Sequence, residues 1–351
     1  MARERNFEVI RTVAMFLIVL YHCLTHGVGN TYGFSATQSV TLSNVLFSDF
    51  MLVFSSISVN LYVMISGYFL VDLSFKMSRI VRTWINACFY SCVITLIFMS
   101  LGLIPFSIIT MGKSAFPLST DAYWFVTQYV GLLILSPFLS LLARQLTYRQ
   151  YLLLLVGGAF LCLSIIPDFP LAKRFHVAHG NSVWSFAYLF LIAAFIKHHI
   201  DKVSSVKLAS AIVCVILLTL VMEIFYGYQN GIVYLYWFDY NALPFILSVL
   251  VFVMIRQIHV PNNGVWKILV RCAPYTFGVY LIHDHLLIRD RLWEMVSLPS
   301  QCDKLQYPLI VIGLCVSVFI ICALIDSIRK KLFSVFKVDS TITKIDKWSY
   351  S

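Results

Sequence analysis

Charged side chains are scarce in this chain, at 12% of 351 residues, whereas 60% are hydrophobic and the mean hydropathy is +0.85. Soluble domains carry about a quarter charged residues, so this scarcity excludes an ordinary soluble fold. Internal repeats, low-complexity segments and an appended soluble domain are also missing. The first apolar run follows Arg3, Arg5 and Arg11 and so imitates a signal peptide, but no small-residue cleavage pattern comes after it. It reads as a retained helix. Nine cysteines are present without metal-ligand spacing, and eight fall in or beside apolar runs, where a thiol behaves as a small hydrophobe. That excludes a disulfide framework. The net charge of +10 does not point to nucleic acid, because the basic residues sit in short loops between apolar runs.

Long apolar runs are what is there instead. A lipid-exposed backbone must satisfy its own hydrogen bonds, and a run of about 20 apolar residues does so as a helix. Ten such runs occur, near 7–26, 47–71, 81–104, 123–144, 151–167, 182–200, 205–226, 240–256, 271–288 and 306–327. The expected fold is therefore all-α, a polytopic membrane bundle of about ten transmembrane helices. With the N-terminus inside, only Lys113, Lys173, Arg174, Arg289, Arg291 and Lys304 of the 26 lysines and arginines fall outside. That asymmetry places both termini in the cytosol. Residues 1–328 form the membrane domain, and 329–351 a basic cytosolic tail lying near anionic lipid. The outer loops near 27–46 and 227–240 are nearly free of charge, and the second gathers Tyr226, Tyr228, Tyr234, Tyr236, Trp237, Phe238 and Tyr240. An interfacial aromatic belt and a sugar-stacking platform both fit that crowding.

Ionisable residues inside a span are costly and usually face the bundle interior or a watered path. The first span holds Glu8, Arg11 and His22. Arg11 and His22 are eleven positions apart, close to three turns, so they share a face about 16 Å apart along the axis. Glu8 precedes Arg11 by three, a spacing that permits an ion pair. Glu8, Arg11, Met15, Ile18 and His22 thus form one stripe from the cytosolic mouth into the membrane. The stripe has two readings. Arg11 snorkels and His22 is a satisfied core histidine, or His22, titrating near neutrality, takes a proton from a sugar hydroxyl.

Other marks follow in order. Ser66-Gly67-Tyr68 closes the second span, with Ser66 and Gly67 suited to close helix packing. Arg79-Ile-Val-Arg82 sets two guanidiniums on one face at the cytosolic end of the third; positive-inside bias explains them, and so does a phosphate-rich ligand. Tyr123-Trp124 opens the fourth span, which continues through Gln128, Tyr129, Ser136 and Pro137. The ninth reads Tyr275-Thr-Phe277-Gly278-Val-Tyr280-Leu-Ile-His283, followed by Asp284 and His285, and His283, His285, Arg289, Asp290, Arg291 and Glu294 cluster at an outer mouth. That cluster is either a solvated loop or a binding site for a polar acceptor. A zinc site on His283 and His285 lacks a third ligand at a persuasive spacing, so no metal is expected.

In this order, Glu8-Val-Ile-Arg11 with His22, Ser66-Gly67-Tyr68, Arg79-Ile-Val-Arg82, Trp124 through Ser136-Pro137, and Phe277 through His283 make the whole chain resemble the membrane-bound acyltransferase-3 family. That family O-acylates bacterial surface polysaccharides, lipopolysaccharides and some small molecules. The resemblance implies a multi-pass protein of the bacterial cytoplasmic membrane that uses acetyl-CoA as a cosubstrate, with no bound cofactor. It makes His22 the catalytic residue and Arg11, Arg79 and Arg82 the donor-binding residues, with Glu8, Ser66, Trp124 and His283 in support. The implied acceptor is a hydroxyl of a surface polysaccharide or its lipid-linked repeat unit. Unlike some members, this chain shows no fused extracellular hydrolase-like domain. The competing class is a transporter or flippase of lipid-linked oligosaccharide, which shares the spans and basic loops. Such a protein needs no ordered His-plus-RxxR set, and no inverted repeat is visible.

Overall fold

The computed structural model describes residues 4–28, 41–120, 122–163, 180–230, 242–295 and 298–348. These residues contain helices and turns but no strand. Among the described residues, each of the ten expected spans lies mostly on helix. Seven stretches are long and apolar enough to cross a membrane: Arg5–Gly27, Ser43–Leu70, Met77–Ser100, Trp124–Gln145, Ser205–Met222, Gly264–His283 and Tyr307–Val335. The other three expected spans correspond to helices of 15, 17 and 15 residues, Tyr148–Cys162, Val183–His199 and Ala242–Arg256. Of the aromatic outer loop, Tyr234, Tyr236, Trp237, Phe238 and Tyr240 lie outside the described residues, as does most of 27–46.

Helix α1 (Arg5–Gly27) is the hub, and its buried residues lie all round it rather than along one stripe. It packs on α2 (Leu42–Ser56) and α3 (Ser58–Leu70), on α10 (Ala242–Arg256) and α11 (Gly264–Cys272), and on α12 (Thr276–His283), α13 (Leu286–Glu294) and α14 (Tyr307–Val335). The expected second span is broken between α2 and α3 at Ile57. Serine hydroxyls explain the break: Ser55 donates to the Met51 and Leu52 carbonyls, Ser56 to Val53 and Ser58 to Ser55, competing with the helical ladder. Helix α4 (Met77–Ser100) lies beside α12 and α6 (Trp124–Gln145), with the short α5 (Ile108–Ser114) packed on it. Helix α8 (Val183–His199) is sandwiched among α3, α6 and α7 (Tyr148–Cys162). Every side chain from Ser185 to Ile196 of α8 is buried, so its apolar surface meets protein more than lipid.

Ends that the charge pattern assigns to one side are tied to one another. Arg5 at the start of α1 donates to the Pro261 carbonyl after α10, Arg256 at the end of α10 donates to Ile196 in α8, and Lys197 in α8 donates to Tyr68 at the end of α3. At the opposite side Asn44 in α2 donates to the Cys302 and Lys304 carbonyls ahead of α14.

Small-residue packing occurs where Ser66-Gly67 suggested it. A Cβ on Gly67 would stand 2.7 Å from the Phe190 Cα and 2.9 Å from its carbonyl oxygen, both backbone atoms of α8. The two helices approach that closely because a hydrogen stands where a methyl would be. Gly67→Ala is expected to force α3 and α8 apart at a cost of about 1–3 kcal/mol. The check is the melting temperature of the detergent-solubilised protein, and a variant that melts with the wild type would refute the close approach.

Candidate active site

The first-helix stripe survives folding. Arg11 Nη1 donates to Glu8 Oε1 at 3.0 Å, and Met15, Ile18 and His22 line one cleft. Its other walls are Val59 and Tyr62 from α3, Trp124 and Phe125 from α6, and Phe277 and Tyr280 from α12. Three of the marked segments thus converge: the first helix, the start of α6 and the Phe277–His283 stretch. Tyr62 is anchored by its hydroxyl to Thr276 at 2.9 Å, which fixes one wall against another. Ser66 bonds the Tyr129 hydroxyl at 2.9 Å, and Tyr129 stacks on Phe125. Ser66 therefore supports a wall of the cleft from behind.

Behind the His22 wall of the cleft two imidazoles meet. His22 Nδ1 and His283 Nε2 are 2.9 Å apart, both residues are buried, and 261 positions separate them. His283 Nδ1 lies 2.6 Å from the Val279 carbonyl one turn earlier in α12. A carbonyl only accepts, so His283 Nδ1 carries the hydrogen, and a neutral His283 leaves Nε2 as an acceptor. His22 must then donate through Nδ1. Its Nε2 is left as the basic nitrogen. Asp284 Oδ1 stands 3.5 Å from the same His22 Nδ1, and Arg289 is 4.0 Å from that carboxylate oxygen. A carboxylate beside Nδ1 stabilises the imidazolium that forms when Nε2 takes a proton.

Asp284 and His26 are the site residues least legible in the sequence. Asp284 follows the Phe277–His283 segment outside the outer-mouth cluster, and His26 belongs to no motif; its place one turn beyond His22 is the available signal. His285 takes another path, accepting from the Leu287 backbone N–H through Nδ1 to cap α13. His22, His26 and Asp284 do bring one ligand atom each within 4.8 Å of one another, a set that could take a divalent cation. With His22 Nδ1 at hydrogen-bonding distance from His283 Nε2, Nε2 is the His22 nitrogen left for such an ion.

At the opposite end of the bundle, the RxxR pair opens α4. Arg79 Nη1 donates to the Ser74 carbonyl at 2.8 Å, and Arg82 Nε donates to Asp339 Oδ1 at 2.8 Å. Asp339 belongs to a C-terminal helix, α15 (Val338–Trp348), packed against α4. The basic tail expected over 329–351 therefore includes an amphipathic helix, and α14 itself runs on to Val335.

A buried polar network that no motif announced joins α4, α12 and α14. Asp326 accepts from the Tyr90 hydroxyl at 2.8 Å and from Arg329 Nε at 2.7 Å, while Arg329 Nη1 reaches Asn86 at 2.8 Å. Its carboxylate presses on the backbone of α12 at Gly278, five residues before His283.

Comparisons with curated proteins and with solved structures return no match. The family model for the acyltransferase domain of acyltransferase-3 proteins does match, over residues 4–327, which takes in the His22 helix, the RxxR pair, the cleft and the His283 segment. A membrane bundle with that domain over nearly its whole length belongs to the acyltransferase-3 family.

Proposed function

We propose that this membrane acyltransferase moves an acetyl group from cytosolic acetyl-CoA to a hydroxyl of a cell-surface polysaccharide, or of its lipid-linked repeat unit, in the bacterial cytoplasmic membrane. The observation that carries the reading is the ordered pair His22–His283, with His22 Nε2 left basic beside an aromatic cleft. Arg79 and Arg82 at the start of α4, with Arg11, hold the donor phosphates through charge-assisted hydrogen bonds. The thioester arm extends along the Arg11–Met15–Ile18 stripe toward His22, a rise of about 16 Å.

His22 Nε2 takes the proton of the acceptor hydroxyl as its oxygen attacks the thioester carbonyl. The tetrahedral intermediate then expels the CoA thiolate, the carbon–sulfur bond breaks, and the thiolate recovers the proton from the His22 imidazolium. The products are an acetyl ester and CoA with a free thiol. During the step Asp284 faces the His22 Nδ1–H at 3.5 Å and offsets the transient positive charge. An acyl-histidine route would use the same unprotonated Nε2 as nucleophile.

Membranes containing the protein, given acetyl-CoA and the acceptor polymer, are expected to release free thiol, and the polymer's NMR spectrum to gain O-acetyl signals. A transporter would leave acetyl-CoA intact, and that result would sink the proposal. Chelation separates the hydrogen-bonded pair from a metal centre. EDTA is expected to leave the rate unchanged; a loss restored by added zinc would instead assign His22, His26 and Asp284 to a metal.

A further inference from the structure

The tail helix α15 carries two aspartates, Asp339 and Asp346, seven residues or about two turns apart and hence on one face. They are also the only acidic residues after Asp326. Both meet the first two turns of α4. Asp339 Oδ1 accepts from Arg82 Nε at 2.8 Å. Asp346 Oδ1 accepts from the Ser78 backbone N–H at 2.9 Å and Oδ2 from the Ser78 hydroxyl at 2.6 Å. Those bonds, the hydroxyl's first, hold the Asp346 carboxyl below the ordinary carboxylate range, with Lys76 and Arg79 adding their charge. Ser78 lies in the first turn of a 24-residue helix, where backbone N–H groups lack intrahelical partners and attract anions. A carboxylate on a helix N-terminus and another on a neighbouring guanidinium occupy the places that phosphate oxygens take in anion sites.

We propose that α15 is an intramolecular competitor for the donor site, its two aspartates standing in for CoA phosphates at Ser78 and Arg82 until the donor displaces them. The inference rests on assigning the donor phosphates to the start of α4. Two further features fit a displaceable element. Ile342 is buried, so the helix is seated and not merely adjacent, yet Asp339 remains exposed and its ion pair with Arg82 is open to water. The chain turns back from α14 into α15 through Lys337, whose φ of 52° is a left-handed conformation that lysine rarely adopts. Such a turn persists while the docked helix enforces it. The apolar side chains keep α15 on α4, and the aspartates place its charge where the donor must bind.

The test uses the full chain in detergent and coenzyme A itself as the probe. Calorimetry gives the CoA dissociation constant, and hydrogen exchange reads the backbone of 338–348 with and without CoA. Two variants free the tail by different means: Asp339→Asn with Asp346→Asn removes the competing charges, and Lys337→Pro forbids a positive φ at the turn. A tail docked nine-tenths of the time would weaken donor binding about tenfold, so each variant is expected to bind CoA about tenfold more tightly. In the wild type, saturating CoA is expected to raise exchange in α15. Equal or weaker CoA binding in the variants, with exchange in α15 unmoved by CoA, would overturn the competitor role while leaving the donor site standing. Failure of every form to bind CoA would remove the donor assignment and the competitor together.

Discussion

His22→Ala is expected to lower acetyl transfer by about 10²–10⁴-fold, the range that a positioned general base contributes, with the protein still folded in the membrane. The cleft keeps its walls in this variant, because none of Tyr62, Trp124, Phe125 and Tyr280 depends on the imidazole for its own hydrogen bond or stacking partner. Loss of rate with unchanged membrane content and melting temperature would therefore locate the defect in proton transfer. His283 sharpens the reading. His283→Leu removes the acceptor for His22 Nδ1–H and frees the ring to adopt the other tautomer, so the rate should fall while CoA binding holds. His283→Gln keeps a carbonyl acceptor and should retain more activity than the leucine variant. Equal loss in both would argue that His283 only fills space. Full activity in His22→Ala would end the general-base and acyl-histidine mechanisms alike.

Gly278→Ala is expected to be nearly as damaging by a wholly structural route. A Cβ at Gly278 would stand 2.1 Å from Asp326 Cγ and Oδ1 and 2.5 Å from its Cβ, far inside van der Waals contact. The aspartate cannot swing away freely, since Tyr90 and Arg329 both hold its carboxylate and Arg329 is itself bonded to Asn86. Overpacking alone costs about 1–3 kcal/mol, and uncoupling a buried ion pair about 3–5 kcal/mol. Either the helix moves, taking His283 with it, or the pair breaks. Both outcomes predict a lowered melting temperature and lost activity together, unlike His22→Ala, where activity alone falls. A Gly278→Ala protein that melts with the wild type and keeps its rate would show that α12 has room at this point.

The difference between these two variants tracks what could be read in advance. Gly278 lay in a marked segment, but nothing near it in sequence indicated a carboxylate from residue 326. The ion pair Asp326–Arg329 is local, three positions apart, yet its contact with α12 arises only because α4, α12 and α14 pack together. Arg82 behaves the same way. Its RxxR spacing was evident, whereas its partner Asp339 lies 257 positions away. Hydropathy alone predicts a continuous second span, because it does not register serine hydroxyls bonding back onto their own helix.

The sequence by itself determined the all-α membrane fold, the helices that the apolar runs become, the Glu8–Arg11–His22 stripe and the family. Each rests on composition, helical period or short spacing, and these are physical constraints that act within a few turns of chain. Tertiary structure alone decided that His22 meets His283 and Asp284, and that the tail folds back on the start of α4. Those contacts span some 260 residues, and no local periodicity specifies which buried faces of a bundle will meet. Helix packing does, by bringing α12 against α1 so that two imidazoles, each ordinary on its own helix, share one hydrogen bond.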